Sequence, residues 1–287
     1  MVRVKIFIVF HKVLDERLSL QVFSPQERGD WFAPYAVNEN VLPKQYIDYQ
    51  GYEKNLTEHP GLLEEYKLPH YDPNLQTRGF METSCYVHLL ANQIYEKYDY
   101  LGVCQYDMRW TNRSAKILKN ITESELQYWR WLKKFQRPII YCQLAAKNCW
   151  NGSSLHPMAS ASKFDWQYLV KSYNAYFRTS FRLEDTQNAK LSLWQTYVLP
   201  RDYFVELAGW LTQLCDEIYP WANQAPHETH WGVLGGFTER AEALFMALRE
   251  HSGEIRLRKL YLEHDETIPM KLGISKNHYL SSEQKNG

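Results

Sequence analysis

Residues 4–10 read Val-Lys-Ile-Phe-Ile-Val-Phe, an apolar run without the alternation of a half-exposed strand. A strand that is apolar on both faces has no side to offer to water. It belongs inside a sheet covered by helices on both sides, which is the habit of parallel sheets. Residues 100–105 and 138–144 repeat the pattern, and residues 195–199 predict a further short strand. Segments of helical period lie between these runs. Residues 82–97 predict a helix with Thr83 as its cap, and Thr122-Glu-Ser-Glu125 forms a capping box ahead of Leu126, Trp129, Leu132 and Phe135. Ser162-Lys-Phe-Asp165 opens a helix in which Trp166, Leu169, Val170, Tyr173, Tyr176 and Phe177 follow the 3.6-residue period. Asp202 caps a helix that buries Phe204, Leu207, Leu211, Leu214 and Ile218, and a last helix turns Ala241, Leu244, Phe245 and Leu248 inward. Strands alternating with helices predict an α/β fold with a mostly parallel sheet. No linker or repeat divides the chain, so one domain is expected over residues 1–253, followed by a polar extension at 254–287 whose end is disordered. Residues 14–76 lack periodicity and predict long loops, which a compact domain seldom carries without a functional reason.

The 33 basic residues balance 33 acidic ones and form no basic block, which argues against nucleic acid as the partner. Five cysteines, an odd number with no CxxC, predict free thiols in a reducing compartment, hence a cytoplasmic protein. The opening residues are too few for a signal peptide, and no apolar run approaches the roughly 20 residues of a membrane span. Aromatic residues reach 15%. Rings bury large areas and also stack on the C–H faces of sugars, so core and carbohydrate contact are both open to them.

Ligands of open α/β sheets bind beyond the carboxyl ends of the strands. Phe10, His11 and Lys12 end the first run; Tyr106, Asp107 and Arg109 follow the second; Arg78 precedes the helix at 82. Cations there suit a phosphate. Asp107 suits a divalent metal held against that phosphate, although Gln105-Tyr-Asp107 carries one acid where a pair is usual. An Asp closing a strand-end turn is the structural alternative. Gly235-Gly-Phe-Thr-Glu239 reads as a tight turn with Thr238 as N-cap, lifting Glu239 to the first helical position. That suits a general base, and it equally suits an acid placed to satisfy the helix dipole. His227-Glu-Thr-His230-Trp231 precedes it; without a third ligand the pair is a poor zinc site, and a wall for a sugar acceptor, with Trp231 stacking, fits better. No P-loop, GxGxxG, GxSxG or HExxH sequence occurs.

Taken in order, these segments resemble a family of glycosyltransferase-like proteins from bacterial polysaccharide clusters and large DNA viruses, catalogued mainly as a domain of unknown function. The likeness rests on Lys5-Ile-Phe-Ile-Val-Phe-His-Lys12, Glu82-Thr-Ser84, Tyr100-Leu-Gly-Val-Cys-Gln-Tyr-Asp-Met-Arg109, Thr196-Tyr-Val-Leu-Pro with Trp210-Leu211, and Gly236-Phe-Thr-Glu-Arg240. Gln105 and Asp107 depart from the family's His and Arg. The resemblance implies a GT-A-like fold and transfer of a sugar from a nucleotide-sugar donor, a UDP-sugar and in the narrowest form UDP-xylose, to a glycan hydroxyl.

The expected function is an inverting glycosyltransferase, a hexosyl- or pentosyltransferase, with Glu239 as catalytic base. Phe10, His11, Lys12, Arg78, Tyr106, Asp107 and Arg109 are expected at the donor, His227, His230, Trp231, Gly235 and Gly236 at the acceptor, and Mn or Mg on Asp107. A non-catalytic glycan-binding protein, or a metal-assisted phosphodiesterase or hydrolase using Asp107 and the His227/His230 pair, are the alternatives.

Overall fold

The computed structural model describes residues 2–11, 13–39, 42–77, 80, 82–123, 137–144, 163–186, 192–220 and 233–264. Lys12, Arg78, His227, His230, Trp231, the helix expected after residue 125, the Ser162 cap and residues 265–287 lie outside that set. In chain order the elements are β1 (Val4–Phe10), α1 (Glu16–Ser19), α2 (Pro25–Trp31), β2 (Phe32–Ala36), β3 (Gln45–Ile47), β4 (Glu53–Asn55), β5 (Leu63–Glu64), α3 (Pro73–Thr77), α4 (Thr83–Ala91), β6 (Tyr100–Gln105), β7 (Met108–Trp110), α5 (Asn112–Glu123), β8 (Ile139–Leu144), α6 (Lys163–Phe177), β9 (Ser192–Pro200), α7 (Arg201–Ile218), α8 (Val233–His251), β10 (Arg256–Lys259) and β11 (Leu262–His264).

Seven strands form one sheet in the order β10-β8-β9-β6-β1-β2-β5. The run at 4–10 sits inside it, as its two-sided apolar pattern requires: β1 pairs in parallel with both β2 and β6. β9 is the antiparallel member, wedged between β6 and β8. A Cβ at Gly102 would lie 2.9 Å from both the Ile6 Cγ1 and the Tyr197 carbonyl oxygen, so the centre of β6 accepts glycine alone without displacement. One face of the sheet packs on α4, α6, α7 and α8. The other packs on α2, α5, the β7–β11 pair and Leu14 and Leu20 on either side of α1. The aromatic surplus fills these cores. Trp110, Trp166 and Trp210 are fully buried, and Tyr173 packs edge-on against Trp210 at 5.2 Å. Cys85, Cys104, Cys142 and Cys215 are buried free thiols.

Local geometry departs from the sequence reading at several helix ends. Glu82, not Thr83, is the N-cap of α4, and residues 82–97 are two elements broken at Gln93, whose φ is +54°. Thr122 lies in the last described turn of α5, where its hydroxyl donates back to the carbonyls of Leu118 and Lys119. Asp202 lies inside the first turn of α7 behind Pro200, with no capping bond. Beyond residue 253 the chain adds two strands, β10 at the sheet edge and β11 antiparallel to β7.

Candidate active site

The carboxyl ends of β1 and β6 meet at one point. The Tyr106 N–H donates to the Val9 carbonyl at 3.1 Å, locking the two strand ends together. His11 sets its ring edge-on to Tyr106, centroids 5.6 Å apart. The Phe10 side chain is fully buried and its carbonyl accepts from the Val37 N–H, so it builds the floor. After the turn at 106–107 the chain enters β7, where β11 pairs His264 with Met108. This register brings the His264 Nε2 to 3.0 Å from the Asp107 Oδ2. The Asp107 Oδ1 is buried and has no hydrogen-bond partner among the described residues. Arg109 lies 3.8 Å from Glu263 and is more than a third exposed.

Three further carboxyl groups lead inward from this point: Glu82 feels the charges of Asp107 and Glu239, and Glu242 feels those of Glu82 and Glu239. Glu82 is set deep in the protein while keeping some solvent access. Burial, reinforced by the charges of Asp107 and Glu239, pushes it up to about 7, against the pull of its own backbone N–H and of a hydrogen bond with Gln105. Glu239 accepts the Trp194 N–H at 2.8 Å. Burial raises it above the ordinary carboxylate range, while the Trp194 N–H and Arg240 draw it back. Glu242 is sealed from water, accepts from the Gln195 amide at 2.7 Å, and is held well above the usual range by burial. Such a cluster of acids, two with solvent access and several titrating high, is what positioned proton transfer uses.

The elements that deliver these groups differ from those expected. α8 begins at Val233, so Gly235 and Gly236 are helical and Thr238 is no N-cap. The Thr238 hydroxyl reaches the carbonyls of Leu234 and Gly235 and meets the Thr83 hydroxyl at 2.6 Å. Glu239 therefore stands on the second turn of a helix, on a firmer base than a turn would give. Sequence reading also passed over Glu82 as an acid of the site, and over Trp194, Gln195, Glu242 and His264. For His264 a signal was present: Leu257 and Leu262 are apolar positions of two short strands, and Ile255 and Leu260 flank the first of them. A bulge such as that at Trp194–Gln195 leaves no comparable mark.

A divalent cation fits the Asp107 corner in part. Asp107 and His264 offer an oxygen and a nitrogen, and the orphaned Oδ1 wants a positive partner. Among the described residues no group of three His, Cys, Asp or Glu side chains can hold a metal. The corner would therefore suit an ion that takes its remaining ligands from outside these side chains, as Mg does with water. Among the described residues no helix is long and apolar enough to cross a membrane.

No protein-family model and no curated protein sequence matches the chain. Solved structures do. Apo WbbM, a bifunctional glycosyltransferase, superposes with a TM-score of 0.53 at 12% identity, over 92% of this chain and 45% of that one. Mouse xyloside xylosyltransferase 1 in its apo form gives 0.35 at 11% identity, over 90% and 84%. CMP:2-keto-3-deoxy-manno-octonic acid synthetase complexed with CTP gives 0.36 at 13% identity, over 99% and 100%. This chain thus spans less than half the length of WbbM, and of these three superpositions the WbbM one alone is close enough to bear on the fold. Together with the seven-stranded, mostly parallel sheet flanked by helices, it gives the chain a GT-A-like fold.

Proposed function

We propose that the protein is a glycosyltransferase that moves a sugar from a nucleotide-sugar donor, a UDP-sugar, to a glycan hydroxyl. The observation that carries this reading is the convergence of Asp107, Glu82 and Glu239 beyond the carboxyl ends of β1 and β6 in a GT-A-like sheet. The donor diphosphate would lie at His11, Lys12, Tyr106, Asp107, Arg109 and Arg78. Asp107 and His264 would hold a divalent ion there, which would supply positive charge against the departing diphosphate. Glu239 serves as the base. Its carboxyl is raised by burial and drawn back by the Trp194 N–H and Arg240, so it has more proton affinity than an exposed carboxylate. It takes the acceptor hydroxyl proton as that oxygen attacks the anomeric carbon, which inverts the configuration. The acceptor side is assigned to His227, His230, Trp231 and the Gly235–Gly236 stretch, with Trp231 as stacking platform. UDP-xylose is the narrowest form of the donor proposal.

A rival base is Glu82, favoured by a carboxyl poised near 7. Assaying release of UDP from a panel of UDP-sugars with glycan acceptors tests the function. Running Glu239→Gln and Glu82→Gln beside the wild type separates the two bases. Turnover that depends on acceptor and falls with Glu239→Gln supports the proposal. Binding of free glycans without turnover of any nucleotide sugar would replace it with the lectin reading.

A further inference from the structure

β9 loses its regularity where it approaches the site. From Pro200 to Tyr197 it pairs residue by residue with β6, and Cys142 of β8 lies opposite Tyr197. Two residues further along β8, Leu144 lies opposite Ser192. β9 thus spends five residues where β8 spends two. Within this bulge Trp194 and Gln195 have φ of +58° and +45°. Neither is glycine, and side chains larger than hydrogen crowd the following carbonyl in that region, so the pair is strained. Strain of this kind persists only where surrounding contacts impose it.

The contacts are on Gln195. Its side-chain amide donates to the Thr83 hydroxyl at 2.8 Å and to the Glu242 carboxyl at 2.7 Å. Its carbonyl accepts from the Tyr86 hydroxyl at 3.2 Å. Thr83 and Tyr86 belong to α4 and Glu242 to α8, so one buried side chain ties the bulge to two helices. What the bulge presents in return is Trp194. Its N–H meets Glu239 at 2.8 Å, and its indole stacks on His264 at 5.3 Å with planes 14° apart. His264 in turn contacts Asp107. Gln195 is 3% exposed, so its side chain is turned into the protein and not toward a substrate.

We propose that Gln195 is a positioning residue: its amide holds the strained bulge that delivers the Trp194 N–H to Glu239 and the Trp194 indole to His264. This rests on the reading of Glu239 as the base. Without the amide, the bulge can relax toward ordinary backbone angles, and both Trp194 contacts are withdrawn together.

Gln195→Met keeps the length and removes the amide. Its kcat is expected to fall roughly 10- to 100-fold, since displacing a catalytic group by about 1 Å costs on that order, with the donor KM within about threefold of wild type. In a Glu239→Gln background the same change should cost little more, because groups acting as one unit are not additive. A merely structural role predicts multiplying losses in the double variant, and that result, or a wild-type kcat in Gln195→Met, would overturn the proposal. Should Gln195→Met fail to fold, Gln195→Asn retains an amide and tolerates left-handed angles; there too kcat should fall with donor KM held and the Glu239→Gln effect non-additive, and additive losses count against the proposal. If the wild type turns over no nucleotide sugar, the functional reading fails separately. A crystal structure of either variant then still decides: loss of the Trp194 N–Glu239 bond supports positioning, and its retention contradicts it.

Discussion

Thr83 and Ser84 are neighbours in sequence, yet each serves a different buried carboxylate cluster. The Ser84 hydroxyl donates to Glu65, whose same oxygen lies 3.2 Å from the His88 Nδ1. The His88 Nε2 accepts the Asp72 N–H, so the ring is neutral and its Nδ1 hydrogen goes to Glu65. This cluster is a lone acid closed to water, with both donors on its Oε2 while its Oε1 has no hydrogen-bond partner among the described residues. Thr83 borders the other cluster, where Glu82, Asp107, Glu239 and Glu242 crowd together, and backbone strain supplies one of the donors. Burial of a carboxylate is common to both. What separates them is the company: donors settle an acid into structure, whereas like charges and solvent access leave it poised for a cation or a proton.

The largest expected effect is at Glu239. Glu239→Gln should lower turnover by about 10²- to 10⁴-fold with donor binding almost unchanged, as removal of a general base does. Steady-state kinetics and donor titration check it, and near-wild-type turnover would move Glu239 into the structural class with Glu65. Glu65→Ala is the mirror experiment. It strands the Ser84 and His88 donors at roughly 1–3 kcal/mol each, so thermal unfolding should shift clearly while the kcat of the folded fraction stays close to wild type. A loss of kcat larger than the loss of folded protein would erase the contrast.

Glu82 sharpens the contrast through pH. Its carboxyl rises from an ordinary 4.5 to about 7 in the folded protein. The folded state therefore holds this proton more tightly than the unfolded one. The associated stability is fully present below about pH 4.5 and is lost as pH rises through about 7. Glu82→Gln never ionises, so its melting temperature relative to wild type should climb between pH 5 and pH 8.5. The gain is at most on the order of 3 kcal/mol. A gap that stays flat with pH would show that Glu82 is not held protonated by its neighbours. The smallest expected change is at Trp231→Ala, a several-fold higher acceptor KM with donor KM unchanged; a parallel rise in both would remove Trp231 from the acceptor side.

The fold was legible in part because the two-sided apolar runs at 4–10, 100–105 and 138–144 leave few arrangements open. β2 was not, since Phe-Ala-Pro-Tyr-Ala carries a proline and two alanines and mimics a loop. Its Pro34 lies opposite Ile8 of β1 but one residue before the β5 pairing begins at Tyr35, so it sits at a local edge. Asp107 was legible as an acid just past a strand end, and Glu239 as an acid of the last helix though not in its true place on that helix. The start of α8 was misread because two glycines suggest a turn, while Leu234, Gly235 and Phe237 are buried and hold the helix six residues further back. His264 and Gln195 act through contacts 157 and 112 residues away in sequence, and no local pattern encodes such pairings.

The central claim, that the acids beyond β1 and β6 receive a nucleotide diphosphate, is tested most directly by thermal unfolding of wild type and Asp107→Asn in increasing UDP with Mg or Mn. A ligand that binds only the folded state raises the melting temperature with concentration. The account predicts a saturable rise in the wild type that a chelator diminishes, and a rise at least tenfold weaker in apparent affinity in Asp107→Asn. No rise with UDP or any nucleotide sugar, or an identical rise in both proteins, would contradict it.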